Sequence, residues 1–238
     1  MLEWILYGLL CVAVLISFYA QIKVSMTYRR YSSVPSGAGK SAAAVARELL
    51  DRAGLSSVRI ERVGGSLTDH FDPRAQVLRL SDSTFDNGSA AAVGVAAHEV
   101  GHAIQHAENY APIVIRSKLV PVTSFASRTS WIFILVGAIL TAFAGLLGEF
   151  GMYLLFAGIV LFAVTTLFQL VTLPCEFDAS RRALAGLRET GEYTSSELAG
   201  ARKVLSAAAL TYVAALAVSL LQLLRLIVMF AGNRDRRR

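Results

Sequence analysis

The chain has 238 residues, of which 55% are hydrophobic and only 17% are charged. This composition excludes an ordinary soluble domain and indicates that much of the chain faces a lipid bilayer. The net charge of +6 comes from basic residues near the ends of apolar runs, and no basic stripe alternates with aromatics, so we expect no nucleic-acid partner. Two cysteines, Cys11 and Cys175, are too few for a disulfide framework or a cysteine-based zinc site, and we interpret both as buried apolar residues.

The first predicted element is an apolar run over residues 4–22 that contains no charged residue. It lacks the basic start of a signal peptide and shows no small-residue cleavage site before Lys23. We therefore predict a retained N-terminal transmembrane anchor over residues 1–23.

The patterns in residues 24–128 predict a small α+β domain. Within it, residues 39–52 predict an amphipathic helix, and residues 58–63 and 76–80 predict two short strands. An alanine-rich pattern then predicts a long helix that begins after Ser89, a favourable N-cap residue. The second strand is either an exposed edge, beside which an extended polypeptide can lie, or a covered core strand.

Two further apolar runs, residues 129–148 and 150–175, are separated only by Glu149. Each is close to the roughly 20 residues that a membrane span needs, so residues 129–175 predict a tight transmembrane hairpin. Residues 176–203 follow as a polar, partly amphipathic connector.

The last predicted region, residues 204–238, is an apolar run followed by a basic tail. Arg225 interrupts the run, which either crosses the membrane or turns along its interface at that residue. The sequence therefore predicts a mostly α membrane protein with three or four transmembrane helices and a small α+β domain.

The alanine-rich helix carries His98, Glu99 and His102. Two histidines four residues apart lie on one face of a helix, so both imidazoles can reach one metal ion. The intervening glutamate can take a proton from a zinc-bound water and later pass it to the leaving amine. Imidazole ligands and an open water position suit zinc, so we prefer one zinc per chain over a pair of structural histidines.

A third protein ligand is required, and the residues after the motif exclude one arrangement. A metzincin would have a glycine at 105 and a histidine at 108, whereas this chain has Gln105 and Glu108. His106 lies one turn further along the helix, where a straight helix carries it away from the ion. We expect a supporting or surface role for it.

Glu176 is the most suitable acid downstream. It lies at the end of the third apolar run, where a carboxylate needs solvent or a positive partner. The alternative is a simple acid near a helix N-terminus, favoured by the helix dipole. Two predicted spans separate His102 from Glu176, so both lie on the same side of the membrane.

Three segments carry a family resemblance: residues 69–73, 94–106 and 173–180. They resemble the bacterial YugP-type family of neutral zinc metallopeptidases, and the likeness covers nearly the whole chain. The resemblance implies a membrane-bound zinc peptidase with a zincin-like domain. It also implies His98, His102 and Glu176 as metal ligands and Glu99 as the catalytic acid/base.

The sequence is more distantly similar to the HtpX-type and prenyl-protein proteases. These also place a membrane hairpin between the histidine motif and the ligand glutamate. They usually have an aspartate four residues after that glutamate, where this chain has Ser180. Asp178 lies roughly on the opposite face of a helix and is expected to be a poor substitute.

The preferred function is a gluzincin-like metalloendopeptidase that cleaves membrane-associated or unfolded polypeptides at the membrane surface. One alternative is an intramembrane site-2-type protease, which the polar residues Glu108 and Asn109 beside the metal helix argue against. The other is a non-catalytic, metal-stabilised scaffold, which has no need of Glu99. For the oxyanion, the sequence offers His70, Tyr110 and Arg181 without choosing among them.

The charge distribution predicts the orientation in a bacterial plasma membrane. Basic residues follow the first predicted span, precede the second and follow the third, whereas the hairpin tip offers only Glu149. By the positive-inside rule the N-terminus is outside and the metal domain is cytoplasmic. If the last run crosses, the basic tail lies outside, against the rule.

Overall fold

The computed structural model of the protein describes residues 2–143 and 145–235. The tail residues Arg236, Arg237 and Arg238 lie outside the described residues. In chain order the elements are α1 (Leu2–Ser32), α2 (Ala42–Arg52), β1 (Arg59–Val63), β2 (His70–Asp72), β3 (Val77–Ser81), α3 (Ala90–Ala107), α4 (Ala111–Leu140), α5 (Leu146–Thr190) and α6 (Ser195–Asp235).

Four of these helices, α1, α4, α5 and α6, are long and apolar enough to cross a membrane. Together with the small three-stranded sheet they confirm the predicted fold class, a mostly α membrane protein with a small α+β part. The chain forms two compact units. The helical unit comprises Met1–Phe18, Ile115–Thr172 and Tyr212–Arg238, and the mixed unit comprises Tyr19–Val114 and Leu173–Thr211.

Within the helical unit, α4 and α5 form a hairpin whose backbones approach closely. A Cβ atom placed on Gly137 would lie 2.5 Å from the backbone nitrogen of Leu155, and one on Gly158 would lie 2.8 Å from the backbone nitrogen of Ile134. Close approach at small residues is a common way for membrane helices to pack, because backbone contact replaces the hydrophobic effect. Glycine at these positions is therefore a requirement of the hairpin.

The fourth long helix, α6, continues through Arg225 without a break. The Arg225 guanidinium donates to the Tyr7 hydroxyl of α1 at 2.6 Å and lies 4.2 Å from the centre of that ring. A second contact, at 3.3 Å, is to the side-chain oxygen of Gln222. These contacts stabilise a charge that an apolar helix would otherwise not accommodate. α6 therefore does not turn at Arg225, and its crossing of the membrane stays a prediction.

Two helices continue through a proline. Pro121 lies inside α4 and Pro174 lies inside α5, so the third apolar run and the amphipathic segment after it form one continuous helix. A proline removes one backbone donor from a helix, but membrane helices tolerate this when neighbouring groups satisfy the freed carbonyl.

The sheet of the mixed unit has the strand order β1-β3-β2. β1 and β3 are parallel, with Ile60 opposite Leu78, and β2 and β3 are antiparallel, with Phe71 opposite Leu78. β1 and β3 match the two predicted strands, whereas the three-residue β2 was not predicted. Because β3 is the central strand, it is the covered core strand and not the exposed edge.

The core of the mixed unit is built from small and branched side chains. Apolar residues of the sheet pack with one face of α2, with α3 and with the parts of α5 and α6 that belong to this unit. Its fully buried members include Val45, Leu50, Val58, Leu78, Leu80, Val93, Val100 and Leu187. The alanines of α3 allow neighbouring elements to approach this helix on several sides.

The helix ends of the mixed unit follow from local sequence. Ser41 and Ser89 cap α2 and α3, each accepting a backbone hydrogen bond from the residue three positions later. At the start of α6, Thr194 and Glu197 form a capping box, in which the Glu197 carboxylate accepts from the Thr194 amide at 2.7 Å. α3 ends at Ala107, and Asn109, two residues later, adopts a left-handed conformation with φ of 52°.

One interpretation of the sequence is wrong in part. Cys175 is buried, but Cys11 is exposed on α1. Cys11 lies in an apolar helix whose large side chains are mostly exposed, which is expected of a surface that contacts lipid and not water.

Candidate metal centre

The centre begins with the two histidines of α3. Because His98 and His102 are four residues apart, their rings lie one above the other, with centroids 4.8 Å apart and planes nearly perpendicular at 84°. The Nε2 atoms of His98 and His102 lie 3.3 Å and 3.7 Å from the same carboxylate oxygen of Glu176. One ligand atom from each of the three residues falls within 4.8 Å of the others. The structure thus brings together the three residues that the sequence nominated as metal ligands.

Glu176 reaches the histidines because α5 and α3 approach at the level of their backbones. A Cβ atom on Gly101 would lie 2.5 Å from the backbone oxygen of Ala179, a distance that no real side chain tolerates. The glycine inside the histidine motif therefore allows α5 to approach. The Glu176 side chain is buried at 3% exposure, where a carboxylate requires positive or polar partners.

The other ring nitrogen of each histidine also has a partner. His98 Nδ1 lies 3.1 Å from the Ser180 hydroxyl, and His102 Nδ1 lies 3.0 Å from the side-chain oxygen of Gln105. Both Nε2 atoms are therefore left for the shared ligand position. Two imidazoles and one carboxylate, with their outer nitrogens supported, form a donor set that fits zinc with one open position for water.

The electrostatics of this group centre on His102. Burial lowers the pKa of this imidazole, but the hydrogen bond to Glu176 and the charges of Glu99 and Glu176 outweigh burial, so its pKa is raised above 6.5. The same negative charges that hold a proton on His102 also favour a divalent cation. Protons and metal therefore compete for this site.

Glu99 lies between the two histidines in sequence and is almost fully buried. Its carboxylate accepts a hydrogen bond from the backbone amide of Phe71 at 3.1 Å. Phe71 is the middle residue of β2, a strand at the edge of the sheet. Strand β2, which the sequence did not predict, thus orients the proposed catalytic carboxylate.

The other candidate site residues from the sequence, a further histidine and three possible oxyanion donors, lie outside the group of proposed metal ligands. The His106 ring packs against Phe71 with a centroid distance of 5.6 Å. His70 is exposed, and its Nδ1 lies 2.9 Å from the Thr68 carbonyl. The other two possible oxyanion donors have polar contacts of their own: Tyr110 lies beneath the Arg182 guanidinium, and Arg181 pairs with Asp178.

The sequence reasoning missed the role of Gln105. This side chain is completely buried, and its amide nitrogen donates to the Cys175 carbonyl at 2.8 Å and to the Asp178 carboxylate at 2.9 Å. Asp178 therefore contacts no ligand histidine directly but reaches His102 through Gln105. A glutamine in the turn after the motif carries no signal by itself, because its partners lie about 70 residues later in the chain.

The protein has apolar helices that are long enough to span a bilayer. It also has a His-His-Glu group that could hold a metal ion. These two features define the class: a membrane protein with a metal centre carried on helices. Residues 6–231 match the family described as "Putative neutral zinc metallopeptidase", and the chain belongs to this family. It is 46% identical over 220 residues to "Putative membrane protease YugP" of Bacillus subtilis (strain 168), over 92% of this chain and 94% of that protein. No solved structure matches the chain.

These similarities confirm the resemblance drawn from the motifs and the zinc cofactor that it implied. Membership of the family makes the protein a zinc metallopeptidase by class, and its apolar helices make it a membrane protein.

Proposed function

We propose that the protein is a membrane-bound zinc metalloendopeptidase that hydrolyses peptide bonds of membrane-associated or unfolded polypeptides. His98, His102 and Glu176 hold one zinc ion per chain in this proposal, and Glu99 is the catalytic acid/base. The observation that supports it most strongly is the convergence of two imidazole nitrogens on one buried carboxylate, beside a further glutamate. The arrangement is gluzincin-like, with a glutamate as third ligand.

Bound zinc supplies a Lewis acid that polarises the scissile carbonyl and makes water a nucleophile near neutral pH. The side chains of the protein position the reacting groups and transfer the protons. The Glu99 carboxylate accepts a proton from the attacking water and delivers it to the leaving amine. Its hydrogen bond from the Phe71 amide fixes the position of one carboxylate oxygen.

Substrate alignment is proposed to involve β2. This strand is at the edge of the sheet, and its central amide lies at the Glu99 carboxylate. An extended polypeptide that adds to such an edge gains backbone hydrogen bonds that do not depend on its sequence, although the Phe71 amide, which donates to Glu99, is not among them. This geometry suits unfolded or loosely structured substrates.

The proposed location is a bacterial plasma membrane with the metal centre on the cytoplasmic side. Support comes from the basic residues that flank the apolar helices, including Lys23, Arg29 and Arg30 after the first of them.

The zinc content of Glu176→Ala tests the proposed ligand set. Loss of an outer hydrogen-bond partner lowers metal affinity roughly 10–100-fold. We expect the purified variant to lose more zinc affinity than this, because a direct ligand is missing. Glu189→Ala is the matched control, since Glu189 is an exposed glutamate on the same helix. Full zinc occupancy of Glu176→Ala by elemental analysis would exclude Glu176 as the third ligand.

A further inference from the structure

Gln105 is a buried amide that its hydrogen-bond partners allow in one orientation only. Its nitrogen has two hydrogens and two acceptors, the Cys175 carbonyl at 2.8 Å and the Asp178 carboxylate at 2.9 Å. Neither acceptor can donate in return: Cys175 contributes a backbone oxygen, and Asp178 is ion-paired with Arg181 and Arg182. Rotating the amide by half a turn would place its oxygen against both acceptors. The Gln105 oxygen must therefore face His102.

The orientation of this amide determines which nitrogen of His102 carries the proton when the ring is neutral. The Gln105 oxygen accepts only, and it lies 3.0 Å from His102 Nδ1. A neutral imidazole carries its proton on one of its two nitrogens, so the contact requires the proton on Nδ1. The lone pair is then on Nε2, the nitrogen directed at Glu176.

The equivalent contact at His98 does not impose the same choice. His98 Nδ1 lies 3.1 Å from the Ser180 hydroxyl, which can donate or accept. The two histidines of the motif therefore differ, because one has a fixed tautomer and the other has a permissive partner.

We propose that Gln105 is a positioning residue that fixes His102 in the Nδ1–H tautomer and so presents its Nε2 lone pair to zinc before the metal binds. This inference deepens the proposed function, because it rests on the role of His102 as a ligand. Asp178, at the end of this chain of contacts, reaches His102 only through the Gln105 amide.

The direct test is the ring-nitrogen NMR spectrum of the metal-free, ¹⁵N-histidine-labelled protein in detergent, recorded as the pH is raised until the His102 ring is neutral, because Glu176 and Glu99 raise the pKa of this ring. The chain has only four histidines, so single His→Gln variants assign them. We expect His102 to be protonated at Nδ1. Protonation of His102 at Nε2 would overturn the proposal, and this outcome requires neither bound zinc nor a folded Gln105 variant.

Substitution then separates positioning from packing. Gln105→Met keeps the volume and removes the acceptor, so we expect His102 to lose its preference for the Nδ1–H tautomer and zinc affinity to fall about 10–100-fold in chelator competition. Gln105→Glu retains an acceptor for Nδ1–H but turns an oxygen toward two acceptors. It should therefore melt at a lower temperature than Gln105→Met yet keep the His102 tautomer. Unchanged tautomer and zinc affinity in Gln105→Met would overturn the proposal.

Ser180→Ala is the matched control, since it removes the partner of His98 and leaves Gln105 intact. It should alter the His98 signals and leave those of His102 in place. An equal effect on His102 would contradict a specific role for Gln105. If Glu176→Ala keeps its zinc, the proposed ligand set fails, whereas the tautomer measurement still tests Gln105 by itself.

Discussion

Glu99 is oriented by the backbone, through the Phe71 amide of β2. A glutamine at this position can present its side-chain oxygen to the same amide, so Glu99→Gln keeps the local structure but loses the base. We expect hydrolysis of an unfolded protein substrate to fall by about 10²–10⁴-fold or more, because one group handles both proton transfers.

Zinc content and the circular dichroism spectrum of Glu99→Gln serve as controls and should match those of the unaltered protein. Turnover close to normal in a zinc-loaded Glu99→Gln preparation would assign the base to another residue.

A second residue-scale feature links α2 to the turn before α6. The Lys40 ammonium lies 2.7 Å from Glu48 and 2.6 Å from Glu192. The hydrogen bond from Lys40, and with it that from Arg52, holds the pKa of Glu48 below 4.5. A carboxyl with a lowered folded pKa stabilises the fold above its unfolded pKa and loses this contribution as pH falls through the folded value.

We therefore expect Glu48→Gln to lower the apparent melting temperature near pH 7, by about 1–3 °C because the pair is partly exposed. Near pH 3 the variant and the unaltered protein should differ less. Thermal unfolding in detergent at both pH values measures this, with Glu189→Gln as an exposed control. A difference that grows on acidification would contradict the sign of the linkage.

At the residue scale, the parts of the centre that are local in sequence were predictable. His98, Glu99 and His102 follow from helical spacing, and Glu176 follows from its place at the end of an apolar run together with the family resemblance. The supporting contacts of Gln105 and Ser180 were not predictable, because each depends on how α3 and α5 are rotated against one another. Neither helix encodes that rotation alone.

At the scale of elements, the crossing of α3 and α5 depends on Gly101. Replacement by alanine would place a methyl group 2.5 Å from the Ala179 carbonyl, so the helices must move apart. Overpacking of this kind costs typically about 1–3 kcal/mol. It also withdraws Glu176 from the histidines, so we expect weaker zinc binding in addition to a lower melting temperature.

Chelator competition and thermal unfolding of Gly101→Ala measure the two effects. Gly8→Ala is the control, because a Cβ atom on Gly8 of α1 has no neighbour within 4 Å. Zinc affinity as high in Gly101→Ala as in Gly8→Ala would show that the close approach does not position Glu176.

Most elements were predictable because they have strong periodicity or long apolar runs. The exceptions have specific causes. Pro174 suggests a boundary in the sequence, yet α5 passes through it as one helix. Strand β2 has only three residues, too few for an alternating pattern, and it exists because β3 and the Glu99 carboxylate pair with its two sides. Both departures come from tertiary contacts and not from local propensity.

At the scale of the whole molecule, the four apolar helices allow a prediction of which segments lie on which side of the membrane. With four crossings, the N-terminus, the hairpin tip and the C-terminus share one side, and the exposed loop near Ser66 lies on the other. By the positive-inside rule, the basic residues around the mixed unit predict a cytoplasmic position for that loop. The arginines of the tail then lie outside the cell, against the positive-inside rule. We expect the larger number of basic residues on the other side to outweigh their effect on orientation.

Substituted-cysteine labelling in intact cells tests this topology, on a background of Cys11→Ala and Cys175→Ala. We expect a membrane-impermeant reagent to label Glu149→Cys and Gly232→Cys without permeabilisation, and Ser66→Cys only after it. Labelling of Ser66→Cys in unbroken cells would reverse the orientation. Protection of Gly232→Cys alone would show that α6 does not cross.

The distance along the chain between the proposed ligands has a consequence for biosynthesis. His98 and Glu176 are 78 residues apart, and α4 and the apolar part of α5 lie between them. At about 5–20 residues per second, a ribosome needs roughly 4–16 s to travel from the first ligand codon to the last. During that interval the histidine pair exists without its carboxylate. If His98, His102 and Glu176 are the ligands, as proposed, a nascent chain completes its metal centre only after the apolar hairpin has been synthesised.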